Sequence, residues 1–188
     1  MKIQANTIRA GYVIEADNKQ WAVLKTELIL PGKGSAFIQV EMRDVKSGNK
    51  TNVRYRTSET VEKLMVEEKE CTFLYADGDT LTFMDSETYE QFTLQRDQIG
   101  DAAAFLQDGM VVLAEMIEGT VTSAKLPQQV TMEIVQADPV VKGQTASSSY
   151  KPALLENGVR VMVPPHIESG TRIVVRTEDS TYVERAKD

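Results

Sequence analysis

With 188 residues, 41% of them hydrophobic and 26% charged, the chain has material for one large domain or two to three small ones, and it is too apolar for a disordered polymer. A net charge of -7 argues against uniform attraction to nucleic acid, while one histidine and one cysteine leave almost no room for a Ser-His-Asp triad or a zinc cluster and none for an internal disulfide. No apolar run approaches the roughly 18 residues of a membrane helix and the first residues carry no apolar signal core, so the expected location is cytoplasmic, with no membrane partner.

Taken from the N-terminus, the chain reads as short alternating strands separated by turn residues. Trp21 to Leu24, Ala36 to Met42 and Thr51 to Arg56 alternate apolar and polar side chains, with Ala16-Asp17-Asn18-Lys19 and Lys46-Ser47-Gly48-Asn49 between or beside them. Asn, Asp and Gly tolerate positive φ, so these clusters predict tight hairpins and a small SH3-like barrel ending near Lys63. Cys71 to Tyr75, the turn Asp77-Gly78-Asp79, Thr80 to Met84 and Tyr89 to Leu94 repeat the idiom, with Cys71 as a strand residue. Asp97 to Gln107 is the one predicted helix, from its acidic start, its alanine run and its end near Asp108-Gly109.

Two echoes connect the later parts. Leu106 to Met110 resembles Leu155 to Val159, and Gly78 to Tyr89 resembles Gly170 to Tyr182, in a different order in the two segments. Shared hairpin grammar or duplication would each produce them, and two five-stranded OB-like barrels satisfy both readings. The predicted domains are therefore 1–63, 64–128 and 129–188. Their charges differ: the first carries 11 Lys plus Arg against 7 Asp plus Glu, the second 3 against 13 and the third 7 against 8. A basic first third implies an end that accepts phosphate beside a flank that repels it.

Catalytic and metal sites are not expected. His166, in Val163-Pro164-Pro165-His166-Ile167, lacks a neighbouring Ser or Cys set up as a nucleophile, and Asp77, Asp79, Asp85, Glu87 and Glu90 fall on hairpin positions. Gly32-Lys33-Gly34-Ser35 is not a nucleotide-binding phosphate loop, because glycine stands where Ser or Thr would hold magnesium. No cofactor is implied.

The most distinctive stretch is Leu28-Ile29-Leu30-Pro31-Gly32-Lys33-Gly34-Ser35-Ala36-Phe37, where a strand runs into a lysine bracketed by glycines. Proline fixes one φ and the glycines allow a tight reversal, which holds Lys33 at a tip. On spacing alone, an ordinary solvated hairpin lysine explains it as well. This segment resembles the tip loop of the elongation factor P family. So does a second, distant stretch, Lys151 to Gly170, which is similar to that family's C-terminal signature. The likeness runs from Ile8-Arg9-Ala10-Gly11 through Asp138-Pro139 to Tyr182-Val183-Glu184-Arg185, and so covers essentially the whole chain.

The resemblance implies an all-β fold: a KOW/SH3-like barrel followed by two OB-fold barrels, with an elongated, tRNA-like outline. It implies a monomeric, non-enzymatic elongation factor that binds the ribosome between the P and E sites and relieves stalls at consecutive prolines by positioning the CCA end of peptidyl-tRNA. Under that resemblance Lys33 is the modification site, its lysine-modifying enzyme is a further partner, and Pro31, Gly32, Gly34 and Ser35 shape the loop. Gly143, Gln144 and Thr145 match the family loop directed at the small subunit and E-site codon, although many members have Asp in place of Gln144. Tyr182 and Arg185 match its C-terminal pattern. A related hypusine-bearing factor of archaea and eukaryotes lacks the third domain, which favours the bacterial family. The alternatives are a generic RNA-binding β-barrel protein in which Lys33 is incidental, and a hydrolase using the acidic middle barrel.

Overall fold

A computed structural model describes residues 1–139 and 149–187. The first sheet comprises β1 (Lys2–Gln4), β2 (Val13–Ala16), β3 (Lys19–Ile29), β4 (Phe37–Asp44), β5 (Lys50–Arg56) and β6 (Thr60–Leu64), in the order β1-β6-β2-β3-β4-β5. All its pairings are antiparallel. In β4 every second residue, from Ile38 to Asp44, is buried, the period-2 signature of a sheet with one covered face. Ile14, Val23, Ile38, Val40 and Met42 meet there, closed from the side by Ala5 and Ile8 of the 3₁₀ turn after β1. Asp17 and Asn18 both take positive φ, 52° and 61°, which is the geometry a two-residue β2–β3 hairpin demands.

The second sheet holds β7 (Glu67–Asp77), β8 (Thr80–Asp85), β9 (Gln91–Gln95), β10 (Val111–Ile117) and β11 (Thr120–Lys125). The third holds β12 (Gln129–Ala137), β13 (Lys151–Leu155), β14 (Arg160–Val163), β15 (Arg172–Arg176) and β16 (Thr181–Arg185). Their spatial orders are β9-β8-β7-β10-β11 and β14-β13-β12-β15-β16, which is the same topology strand for strand. In both, the long first strand slips register against the second, at Phe73/Tyr75 and at Ile134/Gln136. A bulge at that place bends a strand enough for it to serve both halves of a small barrel. The two barrels share one continuous apolar cluster, running from Phe73, Phe83 and Phe105 to Met132, Ile134 and Ile173.

The helix between β9 and β10 differs from the expectation of one element over Asp97 to Gln107. The structure has a single turn, α1 (Arg96–Ile99), then a 3₁₀ segment over Asp101–Phe105. Gly100 separates them at φ 88°, ψ -157°, outside any helical region, so the alanine run cannot extend the first turn. The 3₁₀ segment instead turns Ala103 and Phe105 into the core. Among the described residues no helix is long and apolar enough to cross a membrane.

Candidate functional site

The candidate site is the loop at the end of the β3–β4 hairpin. Pairing runs from Trp21↔Asp44 to Ile29↔Phe37, with a bulge between Val23 and Lys25, whereas β2 covers β3 only as far as Ala22. The outer part of the hairpin therefore extends past the barrel body: Leu28 and Leu30 are 55% and 72% exposed although Ile38, opposite Leu28, is buried. On the other side β5 braces the base of the loop. Phe37 pairs with Arg56, the Thr57 N–H donates to the Ala36 carbonyl at 3.4 Å, and the Arg54 guanidinium lies 4.9 Å from the Phe37 ring centroid.

Pro31, Gly32, Lys33, Gly34 and Ser35 are all exposed. The two glycines differ. Gly34 holds φ 106°, a conformation side chains rarely adopt, while Gly32 is not among the positive-φ residues. Among the described residues the Lys33 ammonium has no hydrogen-bond, ion-pair or ring partner, so the loop delivers an uncommitted cation. Lys50, Arg54 and Arg56 alternate with half-buried residues along β5, which puts these three cations on one outward face beside the hairpin. The sequence reading missed this face. The alternation of Thr51 to Arg56 was its signal, since all the cations sit at positions of one parity.

The other predicted contact residues lie elsewhere. Tyr182 and Arg185 belong to β16 in the third sheet, remote in connectivity from the hairpin, and Arg185 is exposed. Tyr182 is half-buried and packs edge to face against Tyr150, with centroids 6.3 Å apart; its burial, with Tyr150 beside it, pushes the hydroxyl above its ordinary pKa. Gly143, Gln144 and Thr145 lie outside the described residues. His166 is an exposed turn residue, and Cys71 is fully buried, with burial holding its thiol up. Among the described residues no three His, Cys, Asp or Glu side chains converge as metal ligands. Asp85 is committed to structure: it pairs with Lys69 and accepts from the N–H groups of Glu87 at 2.8 Å and Thr88 at 3.3 Å, which together hold its pKa down to about 2.

A barrel carrying a lysine-tipped hairpin, followed by two OB-type barrels of one topology, defines a three-barrel β protein. Models of the elongation factor P KOW-like domain, OB domain and C-terminal domain match residues 4–61, 66–124 and 130–185 in turn. The chain belongs to the elongation factor P family. It is 65% identical to elongation factor P of Acidiphilium cryptum and 67% identical to that of Granulibacter bethesdensis, in each case over 100% of both chains. These relatives are named as elongation factors. Among solved structures, eukaryotic translation initiation factor 5A from Methanococcus jannaschii aligns with a TM-score of 0.50 at 22% identity, covering 68% of this chain and 92% of that one; the likeness is one of fold.

Proposed function

We propose that this factor binds the ribosome between the P and E sites and promotes peptide-bond formation at polyproline stalls by steadying the CCA end of peptidyl-tRNA with its tip loop. The observation that carries the reading is the projecting hairpin whose outermost cation, Lys33, is exposed and unpaired among the described residues. Proline is a constrained and slow acceptor, so what a helper must supply is positioning, which restraint of the tRNA end provides without acid-base chemistry. A lysine stem is slender enough to enter an RNA-lined passage and to contact phosphates or 2′-hydroxyls without reading sequence. Lys33 is the proposed modification site, where a group added by a lysine-modifying enzyme extends the reach, and Pro31, Gly32, Gly34 and Ser35 set the direction of approach.

The remaining parts of the proposal follow the family. The units are 1–63, 64–128 and 129–188; β6 ends at Leu64, one residue past the first boundary, and the second falls between the end of β11 at Lys125 and the start of β12 at Gln129. Gly143, Gln144, Thr145, Tyr182 and Arg185 contact the small subunit and the E-site codon region, and the protein acts as a cytoplasmic monomer of tRNA-like outline. The test is synthesis of a Pro-Pro-Pro peptide in a purified translation system with wild-type protein and Lys33→Ala. Wild type should accelerate it and Lys33→Ala should lose about tenfold or more of that acceleration, some 1.4 kcal/mol of barrier. Equal acceleration by both rejects the role of Lys33. The second reading, a generic RNA-binding barrel, draws on the basic β5 face and expects RNA affinity with no proline-specific effect.

A further inference from the structure

We infer that Arg43 is a positioning residue, a latch between the first and second barrels that fixes the direction in which the hairpin presents Lys33. The inference rests on the function proposed above for that loop. Arg43 stands on the outer face of β4 between the buried Met42 and Asp44, so its backbone is anchored in the first barrel. Its guanidinium crosses to the second barrel, where Nη1 donates to the Asp97 carbonyl at 3.4 Å and Nη2 to the Gln98 carbonyl at 3.5 Å. Both acceptors belong to the single turn α1, whose last carbonyls lack intrahelical donors; the Gln98 carbonyl also accepts from the Ser123 hydroxyl at 2.9 Å, so the guanidinium is its second donor. The two guanidinium distances are long for hydrogen bonds, so the contact draws on charge and fit together. Half-buried Glu115 of β10 lines the same cleft as Arg43, and its charged neighbours are Glu68, Lys125 and Arg43.

Two glycines make room for the latch. A Cβ built on Gly100 would stand 3.0 Å from Arg43 Nη1, and one on Gly48 would stand 3.3 Å from Asp97 Oδ2. The apolar part of the joint is small, formed by Val13, Val45 and Ile117 with Leu64 and Val66 alongside. The second and third barrels, by contrast, share a continuous core and a hydrogen bond from Asn157 Nδ2 to the Ala104 carbonyl at 2.9 Å. Flexing of the chain should therefore concentrate at the first joint. Arg43 lies six residue steps along β4 from Phe37, roughly 20 Å at about 3.3 Å per step, so a swing of about 10° carries the loop roughly 3 to 4 Å. Misplacement by about 1 Å already costs a positioned reaction on the order of a hundredfold.

The experiment attaches spin labels to Ser58→Cys and Glu90→Cys, exposed positions on the first and second barrels, and measures their distance distribution alongside Pro-Pro-Pro synthesis. Buried Cys71, the one native cysteine, does not compete for label. Arg43→Ala should broaden the distribution and lower the rate about tenfold or more. Arg43→Lys, which keeps the charge without the fork, should recover part of both. An unchanged distribution in Arg43→Ala overturns the latch; a broadened one with an unchanged rate overturns its positioning role. If wild type itself fails to accelerate synthesis, the proposed function falls while the distance measurement still decides the latch.

Discussion

Gly34→Ala and Gly32→Ala should have different consequences, although the two glycines flank Lys33 symmetrically. A Cβ at either position meets no atom within 4 Å, so neither substitution creates a clash. What separates them is the backbone. Gly34 holds φ 106° and Gly32 is outside the positive-φ set. Holding a non-glycine residue in such a region costs about 1 to 3 kcal/mol. Since the loop is exposed from Leu30 to Ser35, alanine at 34 relieves the cost by turning the loop and leaves the barrel as it was. At about 2 kcal/mol the population holding the original loop conformation falls about thirtyfold, and apparent affinity for a partner that needs it falls by the same factor. Titrating each variant into Pro-Pro-Pro synthesis should therefore move the half-maximal concentration of Gly34→Ala upward by about that factor and leave Gly32→Ala near wild type. Urea unfolding of both should stay within about 0.5 kcal/mol of wild type. Equal losses in the two variants would refute the reasoning, as would a drop in global stability that matches the loss of activity.

Two stability predictions concern the second barrel. Phe83 is fully buried, stacked on Phe92 at 5.5 Å and tilted against Phe73 at 5.4 Å, so Phe83→Ala should cost about 3 to 5 kcal/mol in urea unfolding; a loss below about 1 kcal/mol would mean the core repacks around it. Asp85 has a folded pKa lowered to about 2 by its Lys69 pairing and by the Glu87 and Thr88 N–H groups. Its carboxylate therefore contributes stability that is fully present above its unfolded pKa near 4 and is lost as pH falls toward 2. Asp85→Asn should be less stable than wild type at pH 7 and the gap should close between pH 4 and 2; a gap that persists unchanged at pH 2 contradicts the assignment.

Local chemistry was readable from the residues, and contacts between distant segments were not. The Asp17-Asn18 hairpin was legible because its positive φ values belong to those side chains. The Pro-Gly-Lys-Gly tip was legible for the same reason, but the inequality of its glycines was not, because φ at a glycine is set by how the flanking strands close. Asp97 to Gln107 read as one helix because a glycine in an alanine run is tolerable locally. The break at Gly100 goes with the presence there of Arg43, more than fifty residues earlier in the chain. The echo of Gly78 to Tyr89 in Gly170 to Tyr182 matched letters without matching places. Tyr89 sits in a turn at φ 62°, whereas Tyr182 lies in β16 opposite Val175. The true counterparts of Tyr89 are Gly48 and Ser180: all three take positive φ and donate the N–H at 2.9 Å to a carbonyl four residues earlier, Tyr89 to Asp85, Gly48 to Asp44 and Ser180 to Arg176. One turn design thus recurs in all three barrels with unrelated residues at its key position, and a search for repeated letters cannot find it.

The uneven charge of the chain acts at two ranges. At long range, the cations on the outer face of β5 attract a phosphate-rich partner while the second barrel, with 13 acidic residues among residues 64–128, repels it. The proposed encounter is thereby biased toward the hairpin, and the repulsion excludes wrong orientations as effectively as the attraction favours the right one. At short range the same contrast of sign meets at the joint, where Arg43 from the basic barrel donates to the α1 carbonyls of the acidic one, in a cleft that Glu115 also lines. Salt screens the first effect strongly, because exposed charges beyond about 8 to 10 Å hardly sense each other at physiological ionic strength, but it reaches the half-buried joint less. Capture of the partner should therefore weaken with salt well before the hairpin loses its aim. A factor arranged this way would be released by screening its face, with the geometry that presents Lys33 still intact for the next encounter.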